Sequence, residues 1–181
     1  MTITKTFSRV ATLIAITLCF QVDAAASGRR TTVSEDEMTG EISAFAISPR
    51  VRPTKAMSFP YHDIESWIGV GCDSESQWVF FGFSDSPNLT GTETMDGFNH
   101  ITTRVKWDDE VKKTILVQVW GSESIHFRSS RADRAVNNLI SSSSVLLELD
   151  WYGNQSVYFR YPLNGSASAI TTTLRKCGLM R

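Results

Sequence analysis

Imidazole, thiol and hydroxyl groups are the side chains of this chain that can do chemistry, and their spacing limits what chemistry that is. Histidine occurs three times, at His62, His100 and His126. Tyr61-His62-Asp63 sets an imidazole beside a carboxylate, the pairing that orients a general base, although neighbouring loop residues seldom converge on a substrate without a third group. His126 with a nearby carboxylate is the other place where hydrolysis would start. His100 and His126 fall at the polar phase of alternating segments, and no metal-ligand spacing joins the three, so a solvated surface position is the favoured reading. The nearest approach to a nucleophile elbow, Gly121-Ser122-Glu123-Ser124, lacks the second glycine that the turn needs. There is no phosphate-cradling glycine loop, no His-Glu-x-x-His, no Cys-x-x-Cys and no Asp-rich calcium loop. The sequence therefore points to no cofactor, no metal and no catalytic residue.

Binding chemistry has two candidates. Trp67, Trp78, Trp107, Trp120 and Trp151 offer faces on which a sugar can stack. All five lie in predicted strands, which favours core packing and leaves Trp120 and Trp151, near strand ends, as the most exposed. Residues 84–98 (SDSPNLTGTETMDGF) form a long polar connection between two strands that a tight turn would have joined. Long loops often bind, and Asp85, Asn88, Thr90, Glu93, Asp96 and Phe98 are the candidate partner-contacting residues; a tolerated surface insertion is an equally good reading. Asn-x-Ser/Thr triplets at Asn88, Asn154 and Asn164 matter only in a eukaryotic secretory route.

The elements that must position these groups are mostly strands. Ile101, Thr103, Val105 and Trp107 alternate with His100, Thr102, Arg104 and Lys106, the period of a strand with one wet face. Residues 145–151 and 157–163 alternate likewise around Tyr152-Gly153-Asn154, which predicts a hairpin. Residues 67–72, 77–83 and 115–120 are apolar in both phases, which predicts central strands covered on both faces; Ile125 and Phe127 extend the last of these. A helical period appears over residues 131–141, where Ala132, Ala135, Val136, Leu139 and Ile140 share a stripe and Ser130 with Asp133 makes a capping box. A second helix runs over 166–177, with Ser166 as N-cap, Ile170, Leu174 and Cys177 on its buried stripe, and Gly178 as its stop.

At 181 residues the chain is sized for one core. With 18 Lys+Arg against 19 Asp+Glu it lacks the basic surface that displaces counterions from nucleic-acid phosphates. Lys5 and Arg9, an apolar run over 10–20 and Ala24-Ala25-Ala26 match a secretory signal cut after Ala26. That run is shorter than the ~20 residues of a membrane span, so no transmembrane anchor is expected. Losing Lys5, Arg9 and Asp23 leaves 16 basic and 18 acidic residues, a formal charge of −2. Residues 27–53 mix charge, Gly and Pro, with only Ile42 to Ile47 apolar, and read as a loosely ordered arm before a domain over 54–181. Cleavage leaves two cysteines in an oxidising compartment. Cys72 shares a strand face with Ile68 and Val70, and Cys177 lies on the buried stripe of the last helix, so both sulfurs point inward. One disulfide, or two separate buried thiols, satisfies that pattern.

Residues 67–79 (a strand ending in a single cysteine, then a second strand), the passage from Trp120 to Ile140 (a strand, Ser129-Ser130 and an amphipathic helix) and the ending Phe159-Arg160-Tyr161-Pro162-Leu163-Asn164-Gly165-Ser166, with Ala169-Ile170 and Leu174-Arg175-Lys176-Cys177, carry a family likeness. Over about residues 55–178 the chain resembles the VasI-type periplasmic proteins associated with bacterial type VI secretion. The region before residue 55 lacks the extra cysteine pair associated with that family. The resemblance implies a Cys72–Cys177 disulfide and a secretion-associated role, and supplies no catalytic residues. A weaker likeness is to exported invasion-associated proteins with a similar strand-glycine-helix ending.

The expectation is one α+β domain: an antiparallel sheet or sandwich of about seven strands with two packed helices and one disulfide. It would be a non-catalytic periplasmic or secreted accessory protein binding an envelope protein. The alternatives are a small exported inhibitor or immunity protein that inserts residues 84–98 into a lytic enzyme or toxin, and a secreted hydrolase.

Overall fold

The computed structural model describes residues 29–180; the expected signal sequence lies outside the described residues. Ten strands form one antiparallel sheet: β1 (Arg30–Glu35), β2 (Ile42–Ile47), β3 (Ser66–Cys72), β4 (Gln77–Phe83), β5 (Thr92–Met95), β6 (Phe98–Trp107), β7 (Glu110–Val119), β8 (Ser124–Phe127), β9 (Ser144–Asp150) and β10 (Ser156–Pro162). Two helices, α1 (Ala132–Ser141) and α2 (Ser166–Lys176), complete the α+β fold. The strand order is β1-β2-β3-β4-β8-β7-β6-β9-β10, with β5 paired to β6.

The sheet curls so that β3 and β4 face β9 and β10 across the core. Phe81 packs on Tyr161 at 5.5 Å and Phe83 on Phe159 at 5.6 Å between ring centroids. The Tyr161 hydroxyl lies 2.6 Å from Ser66 Oγ, and Ser66 Oγ also donates to the Gly82 carbonyl. Burial holds the Tyr161 phenol protonated by raising its pKa. After β2 the chain runs along β3, bridging Val51 to Ser66, then crosses to β10, bridging Pro53 to Phe159 and donating Thr54 N–H to the Tyr158 carbonyl. This segment thus links β3 to β10.

Four expectations change. Residues 30–35 and 42–47 are not a loose arm: β2 pairs with β3, and β1 with β2, because alternate residues Ala44 and Ala46 reach the core. Ile125 and Phe127 do not extend β7. Gly121, at φ 75°, reverses the chain, and β8 runs back between β7 and β4. The expected capping box is not made; a 3₁₀ turn over Ser129–Arg131 leads into α1, and Asp133 accepts instead from Gln77 Nε2 at 2.8 Å. Gly165, at φ 76°, caps α2 where Ser166 was expected, while buried Ser166 donates to the Leu139 carbonyl and joins the two helices. Gly178 does end α2: Leu179 N–H bonds the Leu174 carbonyl and Gly178 N–H that of Arg175, the paired closure of a left-handed cap.

Helix α1 packs on β4 and α2 on β1, β2 and β3, so both cover the inner face. Cys72 and Cys177 are bonded, with Cα atoms 6.1 Å apart across a sequence separation of 105. This disulfide fits an oxidising compartment. Among the described residues no helix is long and apolar enough to cross a membrane.

On the far side of the sheet, the paired Glu148 and Arg104 form a bidentate ion pair joined by the Tyr158 hydroxyl. The Arg104 hydrogen bonds hold the Glu148 carboxyl below its ordinary pKa. A depressed carboxylate contributes stability that is present above the unfolded pKa and lost as pH falls through the folded one. Wild-type stability therefore declines below about pH 4 partly through this group. The Glu148→Gln variant is expected to show a smaller loss of melting temperature between pH 7 and pH 3; an equal loss in both proteins would sink the assignment.

Candidate functional site

The outer face of β3, β4 and β7 is expected to be covered, because residues 67–72, 77–83 and 115–120 are apolar in both phases, whereas β6 is expected to have one wet face. Among the described residues no element covers it. Its apolar residues instead cover one another through aromatic–glycine pairs: Trp67 lies over Gly82, Phe80 over Gly69 and Trp78 over Gly71. An added Cβ at Gly71 would sit 2.4 Å from the Trp78 ring. Gly71→Ala therefore forces the Trp78 ring off Gly71 and its Phe45 neighbour, with an expected loss of about 1–3 kcal/mol in denaturant unfolding. An unchanged midpoint would mean that the pair adds nothing.

One row of this face runs Phe80, His126, Val117, His100, each residue directly opposite the next across neighbouring strands. Phe98 and Val119 form the neighbouring pair, and Met95 pairs with Phe98. Of these, His126, Val117, His100, Phe98 and Val119, together with Trp78, line a groove of about 520 Å³, with Asp96 at one rim and Arg128 at the other. The Asp96-Gly97 hairpin between β5 and β6 has positive φ at both residues, 54° and 80°, the geometry of a tight two-residue turn.

The histidines keep to the surface, in two different settings. His62 Nε2 pairs with Asp63 Oδ2 at 2.8 Å, but both side chains are more than half exposed, at 56% and 72%. The pair stands in open solvent, where an oriented base gains little from exclusion of water. His126 Nε2 lies 2.9 Å from Ser124 Oγ, which is 3.0 Å from Ser122 Oγ. Its ring stacks on Phe80 at 5.6 Å, and burial lowers its pKa, favouring neutral imidazole. A serine beside a neutral imidazole is part of a nucleophilic constellation. Among the described residues, however, no carboxylate bonds His126 to orient it as the third member does in a hydrolytic triad. Residues 124 and 126 are also on one strand face by period alone.

The residues singled out within 84–98 do not form one patch. Thr90 N–H donates to the Asp150 carbonyl, Tyr152 N–H to that of Asn88, and Leu89 bridges Trp151, so this stretch is strapped to β9. Asp85 Oδ1 caps the Ser86 N–H, and Asn88 Nδ2 donates to the Tyr61 hydroxyl at 3.1 Å. Glu93 lies on β5 opposite His100. Asp96 and Phe98 alone reach the outer groove, while Asn88 lines a separate cleft of about 340 Å³ with Gln118 and Trp120. Of the two tryptophans expected to be exposed, Trp120 is 81% exposed and Trp151 is fully buried, because β9 delivers Trp151 between Tyr61, Phe83 and Phe159.

The groove residues Val117 and Val119 did not stand out by type, and Trp78 did so only as one of five tryptophans assigned to core packing. A usable signal is present: Trp67, Gly69 and Gly71 on one strand and Trp78, Phe80 and Gly82 on the next put large rings and glycines in the same phase. Such a face covers itself and needs no second layer. Comparison of the chain with protein-family models, with curated proteins and with solved structures found no match in any of the three.

Proposed function

We propose that the protein is an exported, non-catalytic accessory protein of the bacterial cell envelope that docks an envelope protein in the outer groove. The observation that carries this reading is the uncovered groove itself. It presents aromatic and aliphatic side chains at its centre, with Asp96 and Arg128 of opposite charge at its rims. Apolar centres with polar rims are the anatomy of protein interfaces, and mixed rim charge suits a polypeptide better than a polyanion. Val119 and Phe98 are 54% and 41% exposed, so a partner residue can reach them. The disulfide fits the periplasm, and the resemblance to VasI-type proteins supports a role beside type VI secretion.

The test is crosslinking capture from an envelope extract of the source organism, using wild type and a Phe98→Ser/Val119→Thr variant. Both substitutions are at exposed positions, and matching melting curves establish that the variant is folded. Recovery of a secretion-system or other envelope-assembly component by wild type, lost at least about tenfold from the variant, is the expected result. Equal recovery by both proteins overturns the groove. Capture of a lytic enzyme or toxin alone replaces the accessory role with that of an inhibitor.

A further inference from the structure

On the inner side of the sheet, away from the groove, α1 and the ends of β6 and β7 leave another cleft, of about 300 Å³. Its floor is apolar, formed in part by Trp107 and Phe127, and its walls carry Lys112, Arg131 and Arg134 with the amide of Asn138. The 3₁₀ turn ends on Arg131 and α1 supplies Arg134 and Asn138, all on one side, since positions three, four and seven apart share a side.

We propose that this cleft binds a carboxylate carried next to an apolar group, such as the C-terminal residue of a polypeptide or a small free acid. Charge is the first argument. The chain has a formal net charge of only −1, yet no carboxylate is among the residues lining the cleft. Among the described residues Lys112 reaches Glu110 at 3.0 Å, whereas Arg131 and Arg134 make no ion pair. The nearest acid on the helix, Asp133, is bonded to Gln77 Nε2. Two exposed guanidinium groups are therefore available to a planar anion, which they hold through paired N–H donors. The N-terminal end of α1 adds a favourable dipole at Arg131 and Arg134.

The floor is the second argument. Trp107 and Phe127 are 5% and 7% exposed, so only a small apolar part of each reaches the cleft, and an inorganic anion would use the cations and leave that part in water. A carboxylate bonded to an aromatic or aliphatic group uses both, and a volume of about 300 Å³ is at the small end of ligand sites. The inference does not rest on the outer groove, which lies on the opposite face.

The experiment titrates the whole protein with N-acetyl-phenylalanine, its uncharged amide, acetate and inorganic phosphate. Calorimetry reads affinity, and the indole N–H resonance of Trp107 reads location. N-acetyl-phenylalanine is expected to bind, to move the Trp107 resonance and to weaken with added salt. The amide and acetate are expected to bind at least about tenfold more weakly, as is N-acetyl-phenylalanine to Arg131→Gln/Arg134→Gln, since hydrogen bonds to a charged group are worth about that factor each. Both arginines are exposed, so this variant should melt as wild type does. A short peptide ending in phenylalanine, compared with its amidated form, separates the sources: tighter binding than the amino acid derivative points to a polypeptide end, and equal binding to a free acid. The proposal is overturned by no binding of N-acetyl-phenylalanine, by equal binding of the amide, by phosphate binding as tightly, or by an unchanged affinity in the arginine variant.

Discussion

Replacing Cys72 and Cys177 together by alanine is expected to lower the unfolding free energy by about 2–5 kcal/mol. The bridge closes a loop of 105 residues, and a loop of that length removes much of the freedom of the unfolded chain. It also fastens the C-terminal end of α2 to β3, beyond the contacts that buried Ser166, Ile170, Thr173 and Leu174 make on the inner face. Urea unfolding with and without reductant checks both points. Reduction should bring the wild-type midpoint close to that of the variant and leave the variant where it was. A wild-type midpoint unmoved by reduction would show that the bridge contributes little.

The second large effect is expected at Trp151. Its ring is fully buried, 5.5 Å from Tyr61, 5.9 Å from Phe83 and 6.4 Å from Phe159 between centroids. Trp151→Ala removes the middle of this cluster, and large aromatic truncations in a core cost about 3–5 kcal/mol. The indole Nε1, however, is buried without a hydrogen-bond partner in the protein. An orphaned donor costs about 1–3 kcal/mol, and phenylalanine removes it together with part of the volume. Trp151→Phe should therefore lose less than half as much as Trp151→Ala. Equal losses in the two variants, measured by thermal and denaturant unfolding, would mean that the lost ring volume outweighs relief of the donor.

These two effects differ in how far the sequence foretells them. The inward phase of Cys72 and the stripe position of Cys177 are local periodicities, legible because a strand repeats every two residues and a helix every 3.6. Trp151 sits at the end of an equally clear alternation, yet its burial is not legible. Whether a strand end is covered depends on Tyr61 and on the Leu89 bridge, both distant in sequence. The same limit explains β1 and β2. β1 is short and polar and β2 is a lone six-residue run, so neither declares a strand alone; β2 becomes one because the free edge of β3 takes its backbone hydrogen bonds, and β1 then pairs with β2.

For the candidate sites the division is sharper. By its own periodicities the sequence determined an α+β chain, two helices, the β9–β10 hairpin and the inward direction of both cysteines. It also contained the tight Asp96-Gly97 turn, which cuts the apparent loop at residues 84–98 into a strapped segment and a hairpin. Only the tertiary structure decided which faces stay uncovered. Strands with two apolar phases are ordinarily sandwiched between layers, but here glycines opposite Trp67, Trp78 and Phe80 let the outer face cover itself, so both helices pack on the inner face. The outer groove and the inner basic cleft both follow from that choice. Each gathers side chains from several elements, and only the sheet register, which no local pattern encodes, sets them side by side.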